Sequence, residues 1–153
     1  MYRALIVCNH LYEARDPKLP PLRGPEADAE MLGGALVDPA TGLFTSAHVR
    51  VLLNASSLEI QEAASTFSGL AQPGEKLLFY FSGHGLKKNG RLYLCADNTR
   101  STHLAATAVS NGTLDDIIDD SKADAKILIL DCCYSGAFKG DEETELLLWG
   151  EGR

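Results

Sequence analysis

Two short apolar runs, each ending in small and polar residues, constrain the fold of this chain more than any other feature of its sequence. The runs are KLLFYFSGHG, ending at Gly85, and KILILDCCYSG, ending at Gly136. Runs of this kind are typical of central strands in a parallel sheet, which are buried on both faces. The polar residues that follow would lie at the carboxyl edge of the sheet, where α/β proteins gather functional groups. The sequence therefore predicts that His84 and Cys133, far apart along the chain, meet at that edge.

The rest of the chain alternates between strand and helix patterns. The predicted order is strand RALIVC, a helix starting near Pro25, strand HVRVLL, a helix capped by Ser56 and Glu59, strand KLLFYF, hairpin strand RLYLCA, a helix capped by Thr113, and strand KILIL. Residues 97–112 show no periodic pattern, and we expect a mobile polar loop there. This order predicts a mostly parallel, doubly wound α/β sheet with right-handed crossovers.

Composition and charge exclude several classes of function. A chain of 153 residues is long enough for one domain with a substantial core. The net charge of −7, without any cluster of Lys or Arg, argues against nucleic-acid and anionic-membrane surfaces. No apolar run approaches the ~20 residues of a membrane span. The four cysteines show no disulfide framework and no CxxC spacing, so we expect a reduced, cytoplasmic protein.

A cysteine and a histidine at neighbouring strand ends suit nucleophilic catalysis. The thiolate is the attacking form of cysteine, and a histidine is the usual base that produces it near neutral pH. Gly85 lets the backbone approach a substrate closely. The backbone N–H groups of Gly85 and Cys133 are candidates for stabilising an acyl oxyanion. The sequence offers no metal-ligand pattern around its other histidines.

The two motifs, SGHG after one apolar strand and DCCYSG after another, resemble those of the caspase-like cysteine peptidases. The form is similar to that of metacaspases and bacterial caspase homologues, and LRGPEADAEML is similar to the family's first helix. The resemblance covers nearly the whole chain. It implies a caspase-like three-layer α/β/α sandwich with a mostly parallel sheet, lacking the strands of a C-terminal small subunit. It also implies a cysteine endopeptidase with His84 and Cys133 as the catalytic dyad.

The resemblance further implies a substrate preference. Leu22 stands where animal caspases carry an Arg that binds a substrate Asp, which makes Asp specificity doubtful. Asp28, Ser82 and Asp131 match positions that line an acidic pocket for Arg or Lys in the metacaspase-like branch. Paired carboxylates suit the planar guanidinium fork better than an ammonium group. We therefore expect protein or peptide substrates with a basic residue before the scissile bond, Arg being preferred over Lys.

The C-terminal part of the sequence differs in character from the rest. We assign residues 1–140 to a catalytic, large-subunit domain and residues 141–153 to an acidic linker. By resemblance, Arg153 is a candidate self-cleavage site and a small C-terminal subunit is a candidate partner; a chain that ends at Arg153 without self-cleavage fits equally well. The acidic stretch DEETE suggests Ca²⁺, but its spacing matches no EF-hand, so we expect no metal or cofactor.

Several alternatives remain open at this level. The chain fits a catalytically silent caspase-like interaction or scaffold module, or a related peptidase with Asp or Asn specificity. A flavodoxin-like binding domain fits less well, because no glycine-rich phosphate loop follows the first strand. Three of the site residues also have a structural interpretation: Cys133 as an inert buried thiol, Asp28 as a first-turn helix acid, and Asp131 as a turn residue.

Overall fold

A computed structural model gives the fold of the chain. It describes residues 1–132 in full and residues 133–134 and 142–149 as strand backbone. The strands are β1 (Tyr2–Cys8), β2 (Val49–Leu53), β3 (Lys76–Lys88), β4 (Arg91–Cys95), β5 (Ala108–Ser110), β6 (Ala125–Tyr134) and β7 (Glu142–Trp149). The α-helices are α1 (Gly24–Leu36), α2 (Ser57–Leu70), α3 (Leu104–Thr107) and α4 (Asn111–Asp119). Strand β7 arises from the segment that the sequence suggested is a linker.

The seven strands form one mixed sheet around β3. Its centre is parallel: β1 pairs with β2 and with β3, and β3 pairs with β6. The outer pairs, β3–β4, β4–β5 and β6–β7, are antiparallel. The parallel centre confirms the predicted α/β class, and the hairpin after β3 confirms the expected position of β4. The sheet as a whole is mixed, with antiparallel strands added at its margins.

Side chains of the central strands alternate between two helical layers, as the pleat of a strand requires. Phe79 and Phe81 of β3 lie in the main core, which also takes in the apolar face of α2 and the inner residues of α4. Tyr80, on the opposite side of the same strand, packs with Ile6, Cys8 and Ala29 beneath α1. The α1 side therefore receives the even-numbered residues of β3 that precede the carboxyl edge.

Two local sequence signals are confirmed. Asn89 and Gly90 both adopt positive φ angles, 52° and 73°, as a tight hairpin turn between antiparallel strands requires. Ser56 and Glu59 form the capping box of α2: Ser56 Oγ accepts from Glu59 N at 3.2 Å, and Glu59 Oε2 accepts from Ser56 N at 2.6 Å. Both features lie where their residue pattern predicts them.

The prediction of a mobile loop over 97–112 is wrong. This segment holds a 3₁₀ turn, α3, β5 and the start of α4. Thr99 and Thr107 are buried within it, and Thr99 Oγ1 donates to the Thr107 carbonyl at 2.5 Å. The predicted cap at Thr113 is also wrong: helix α4 begins at Asn111 and is capped by Ser110, whose Oγ accepts from Thr113 N at 3.1 Å. Hydroxyl-to-backbone hydrogen bonds order the segment, and they leave no periodic apolar signal.

Glu75 joins the amino ends of β1 and β3. Its carboxylate accepts from Arg3 Nε at 2.6 Å, from Arg3 Nη2 at 3.2 Å and from Gln72 N at 2.9 Å. The hydrogen bond from Arg3 is the largest cause that lowers the pKa of this buried carboxyl, followed by that from Gln72. We expect Glu75→Ala to lower the free energy of unfolding by about 1.5–3 kcal/mol at pH 7, the usual range for hydrogen bonds to charged groups. Urea denaturation measures this loss.

The pH dependence of that loss separates it from simple cavity formation. Because the folded-state pKa of Glu75 lies below its ordinary value of 4.5, the carboxylate stabilises the fold above that value. This stabilisation disappears as pH falls through the lowered pKa. The difference between Glu75→Ala and wild type should therefore shrink in acid. Glu62→Ala, a change at an exposed position of α2, is the matched control and should have little effect. A loss that is equal at pH 7 and pH 3 would contradict the assignment.

Candidate active site

The register between β3 and β6 brings the two sequence motifs together. In this parallel pair Ser82 lies opposite Asp131, and His84 lies opposite Cys133. Neighbouring strands are separated by about 4.8 Å, so the His84 and Cys133 backbones are adjacent. The side chain of Cys133 lies outside the residues described in full. At the level of the backbone, the expected meeting of the two motifs at one edge of the sheet is present.

The imidazole of His84 is buried and held by a backbone carbonyl. His84 is 2% exposed, and its Nε2 lies 2.7 Å from the Pro20 carbonyl oxygen. A carbonyl oxygen only accepts hydrogen bonds, so Nε2 carries a proton in this contact. In the neutral ring the lone pair is then on Nδ1. The Pro20 contact therefore selects the tautomer in which Nδ1 is the basic atom.

Pro20 belongs to the segment between β1 and α1, residues 9–23, which also holds Tyr12 against His84. The Tyr12 hydroxyl accepts from His84 N at 2.8 Å, and its ring lies 4.9 Å from the imidazole, centroid to centroid. Tyr12 and Leu19 are buried with Cys95 in a small apolar cluster. Sequence reasoning missed both contacts. Pro20 acts through its backbone, and the signal for Tyr12 was only an aromatic residue shortly after a strand that ends at the functional edge.

Asp28, Ser82 and Asp131, the three predicted pocket residues, lie around the same part of the edge. Asp28 Oδ2 accepts from Ser82 Oγ at 3.0 Å, which connects α1 to β3. Asp131 Oδ2 accepts from the Tyr80 hydroxyl at 3.4 Å. Asp28 and Asp131 are half-buried, and Ser82 is buried. Tyr80 thus packs beneath α1 and also orients a carboxylate.

Both carboxylates affect the pKa of two neighbouring neutral groups, the Cys8 thiol and the Tyr80 hydroxyl. Burial raises the pKa of the Cys8 thiol to about 12, and the charges of Asp28 and Asp131 add to this effect. Burial and then the same two carboxylates raise the pKa of the Tyr80 hydroxyl. Both groups therefore stay protonated at neutral pH. Because both carboxylates contribute to the raised pKa of Cys8 and of Tyr80, Asp28 and Asp131 lie near the same part of the site.

The residues next to this region do not neutralise Asp28. Within the part of the chain described in full, the ion pairs are Arg3–Glu75 and a 3.8 Å contact between His10 and Glu26, so Asp28 takes part in none. Arg23, one position from the place where animal caspases carry their Asp-binding Arg, is exposed at the start of α1. Leu22 is half-buried and packs with the Tyr12 and Leu19 cluster. Neither residue presents a cation to the two acids.

Gly85 and Cys132 fit tightly against each other on the opposite side of the sheet. A Cβ at position 85 would lie 2.9 Å from Cys132 Cβ and 3.2 Å from its sulfur, closer than packed atoms approach. Cys132 is 1% exposed and belongs to the main core. Gly85 pairs with Tyr134 of β6 and Leu94 of β4. The oxyanion role of Gly85 and Cys133 N–H groups stays a prediction, and Arg153 lies outside the described residues.

Across the residues with described side chains, no set of three or more His, Cys, Asp or Glu groups is arranged to hold a metal ion. Among the described helices, none combines the length and the apolar character that a bilayer crossing demands.

Comparison with known proteins identifies one family. The family model described as "Caspase domain", of the peptidase family C14, matches residues 1–147. The match covers β1 to β6, most of β7 and every residue of the candidate site except Arg153. A search of the curated proteins gave no match.

Proposed function

Because this chain belongs to the caspase-domain peptidase family, we propose that it is a cysteine endopeptidase that cleaves after arginine and, less efficiently, after lysine. The family supports a cysteine-type peptidase acting on protein substrates. The preference for basic residues rests on one observation: Asp28 and Asp131 lie beside Ser82, two residues before the histidine that is in register with Cys133.

The way the two acids are held favours a cationic side chain. Ser82 and Tyr80 are hydroxyl donors, so they fix the direction of a carboxylate without cancelling its charge. One hydrogen bond uses only part of the acceptor capacity of a carboxylate, so Asp28 keeps acceptor sites for a donor on a substrate. A substrate cation gains most in such a half-buried place, where water screens the charges less than at the surface. An acidic substrate side chain would meet repulsion from both carboxylates.

Arginine should be preferred over lysine for geometric reasons. The guanidinium group is planar and presents donors in a fixed fork, so it can bind two carboxylates at once. The lysine ammonium group is a point charge that loses more hydration on binding. With acids contributed by α1 and by β6, the pocket offers acceptors from two directions. Acceptors from two directions suit the diverging N–H donors of the guanidinium group.

The proposed chemistry uses His84 and Cys133 in sequence. His84 Nδ1 takes the thiol proton, and the sulfur of Cys133 attacks the main-chain carbonyl carbon of the bound Arg residue. The C–N bond breaks as the imidazolium returns the proton to the leaving amine, which leaves a thioester. Water, deprotonated by His84, then hydrolyses the thioester and restores the thiol. The N–H groups of Gly85 and Cys133 stabilise the oxyanion in both tetrahedral intermediates.

A set of fluorogenic peptides tests this proposal. The peptides differ only in the residue before the scissile bond: Arg, its uncharged isostere citrulline, Lys, Asp or Asn. We expect kcat/KM to fall in the order Arg, Lys, citrulline, with no turnover of the Asp and Asn peptides. Cys133→Ala should abolish all turnover. Efficient cleavage after Asp without cleavage after Arg would refute the acidic-pocket assignment, and turnover that survives Cys133→Ala would refute the nucleophile.

A further inference from the structure

Tyr12 occupies an unusual place in the hydrogen-bond ladder between β1 and β3. The ladder is regular as far as Cys8, which is in register with Ser82, and it continues with Asn9 N donating to Ser82 O at 2.9 Å. In a regular parallel ladder the next hydrogen bond would run from His84 N to Asn9 O. Instead, the Tyr12 hydroxyl accepts from His84 N at 2.8 Å and donates to Asn9 O at 3.0 Å. The hydroxyl thus takes the place of one direct bond between the strands.

The bridge is well fixed because Asn9, whose carbonyl accepts from the Tyr12 hydroxyl, is itself held by other hydrogen bonds. Asn9 is fully buried, and its side-chain amide donates to the Ala55 carbonyl at 2.9 Å while its Oδ1 accepts from Ala55 N at 3.3 Å. The backbone group that receives the Tyr12 hydroxyl is therefore fixed to the body of the protein. Through it, the backbone of His84 is fixed as well.

Gly83 provides the room that the hydroxyl needs. A Cβ at this position would lie 3.0 Å from the Tyr12 hydroxyl oxygen, 3.0 Å from Phe81 Cζ and 3.1 Å from Asn9 O. These contacts are tighter than nine in ten real Cβ contacts, so a side chain at 83 would displace the bridge. The glycine before the histidine and the tyrosine of the preceding loop are thus parts of one arrangement.

The same loop holds the imidazole from a second direction. The Tyr12 ring lies against the His84 ring at an interplanar angle of 50°, and the Pro20 carbonyl binds Nε2 at 2.7 Å. Tyr12 therefore contacts both the backbone and the ring of His84. Pro20 fixes the tautomer, and Tyr12 restricts where the ring can lie.

We infer that Tyr12 is a positioning residue for His84: its hydroxyl replaces one rung of the β1–β3 ladder and its ring supports the imidazole, which holds the side chain of His84 in place on the strand that is in register with Cys133. The inference rests on the proposed function for its catalytic consequence, but the hydrogen bond itself does not. A phenylalanine at position 12 keeps the ring and removes the bridge, so it isolates the hydroxyl.

The first test follows the histidine without requiring peptide cleavage. In Tyr12→Phe we expect the iodoacetamide alkylation rate of Cys133 to fall about tenfold, less than the ~10²-fold that a 1 Å misplacement can cost. The midpoint of the pH profile of this alkylation should also differ from that of the wild-type protein. If peptide cleavage is detected, kcat should fall by a similar factor with KM nearly unchanged. Tyr93→Phe removes the hydroxyl of another buried tyrosine, on β4, and should leave both measurements at the wild-type value.

The second test uses the wild-type protein, so it does not depend on the variant folding. Hydrogen exchange followed by NMR should show the His84 amide proton to be protected, because its partner is the Tyr12 hydroxyl. An amide that exchanges as fast as those of exposed loops would overturn the inference. So would a folded Tyr12→Phe variant with wild-type alkylation and an unchanged pH profile. Failure of every peptide to be cleaved, with the alkylation effect present, would instead count against the proposed function alone.

Discussion

Replacing His84 with glutamine should lower kcat for Arg-terminated peptides by about 10²–10⁴-fold, the usual contribution of a positioned general acid–base. The reason is that His84 Nδ1 is the base that the Pro20 contact leaves for the thiol, and glutamine cannot take up a proton. KM should change little, since His84 is not part of the acidic pocket. Steady-state kinetics with the Arg peptide measure both quantities, and circular dichroism confirms folding.

A second histidine provides the control for this substitution. His103 lies exposed in a 3₁₀ turn, and His103→Gln makes the same chemical change away from the site. It should leave kcat within a factor of two. A folded His84→Gln variant that retains more than a tenth of wild-type kcat would rule out His84 as the proton-transfer group.

Replacing Asp131 with asparagine should lower kcat/KM for the Arg peptide by about 30- to 5,000-fold, because removing one partner of a buried charge pair costs about 2–5 kcal/mol. Asp28→Asn should act in the same direction. The change keeps the shape of the side chain and removes only the charge, so the hydrogen bonds from Tyr80 and Ser82 can still form. The neutral citrulline peptide should be affected much less.

The ratio of kcat/KM for the Arg peptide to kcat/KM for the citrulline peptide is therefore the decisive quantity. It should be large in the wild-type protein and should approach unity as the carboxylates are removed. Asp116→Asn, an exposed acid on α4 at the opposite layer of the sheet, is the matched control and should preserve the ratio. An unchanged ratio in both Asp131→Asn and Asp28→Asn would show that the acids do not select the substrate.

The parts of the site that could be predicted from sequence are those determined by strand ends. KLLFYF and KILIL are continuous apolar runs, so they indicated central strands, and parallel strands bring the residues that follow them to one edge. The strand pattern does not determine the register itself, which the structure gives as Ser82 with Asp131 and His84 with Cys133. The Asn89–Gly90 turn and the Ser56 capping box were predictable because each depends on residues that are close in sequence.

The parts that could not be predicted depend on contacts between distant or backbone groups. Pro20 contributes a carbonyl oxygen, which every residue possesses, so no side-chain pattern could have predicted its contact with His84. Tyr12 binds a backbone N–H that is 72 residues away in sequence. Thr99 and Thr107 order residues 97–112 through hydroxyl hydrogen bonds that have no apolar period. Strand β3 also runs seven residues beyond its apolar part, to Lys88, because β4 supplies a new partner.

The continuity of β3 has a practical consequence for inhibition. The strand passes through His84 without interruption and ends in a hairpin whose tip, residues 87–90, is exposed. An antibody fragment or designed protein that binds this tip would contact the strand of His84 four paired residues away from the imidazole. Any inhibition that it caused would therefore not require occupation of the substrate cleft and would not compete with peptide.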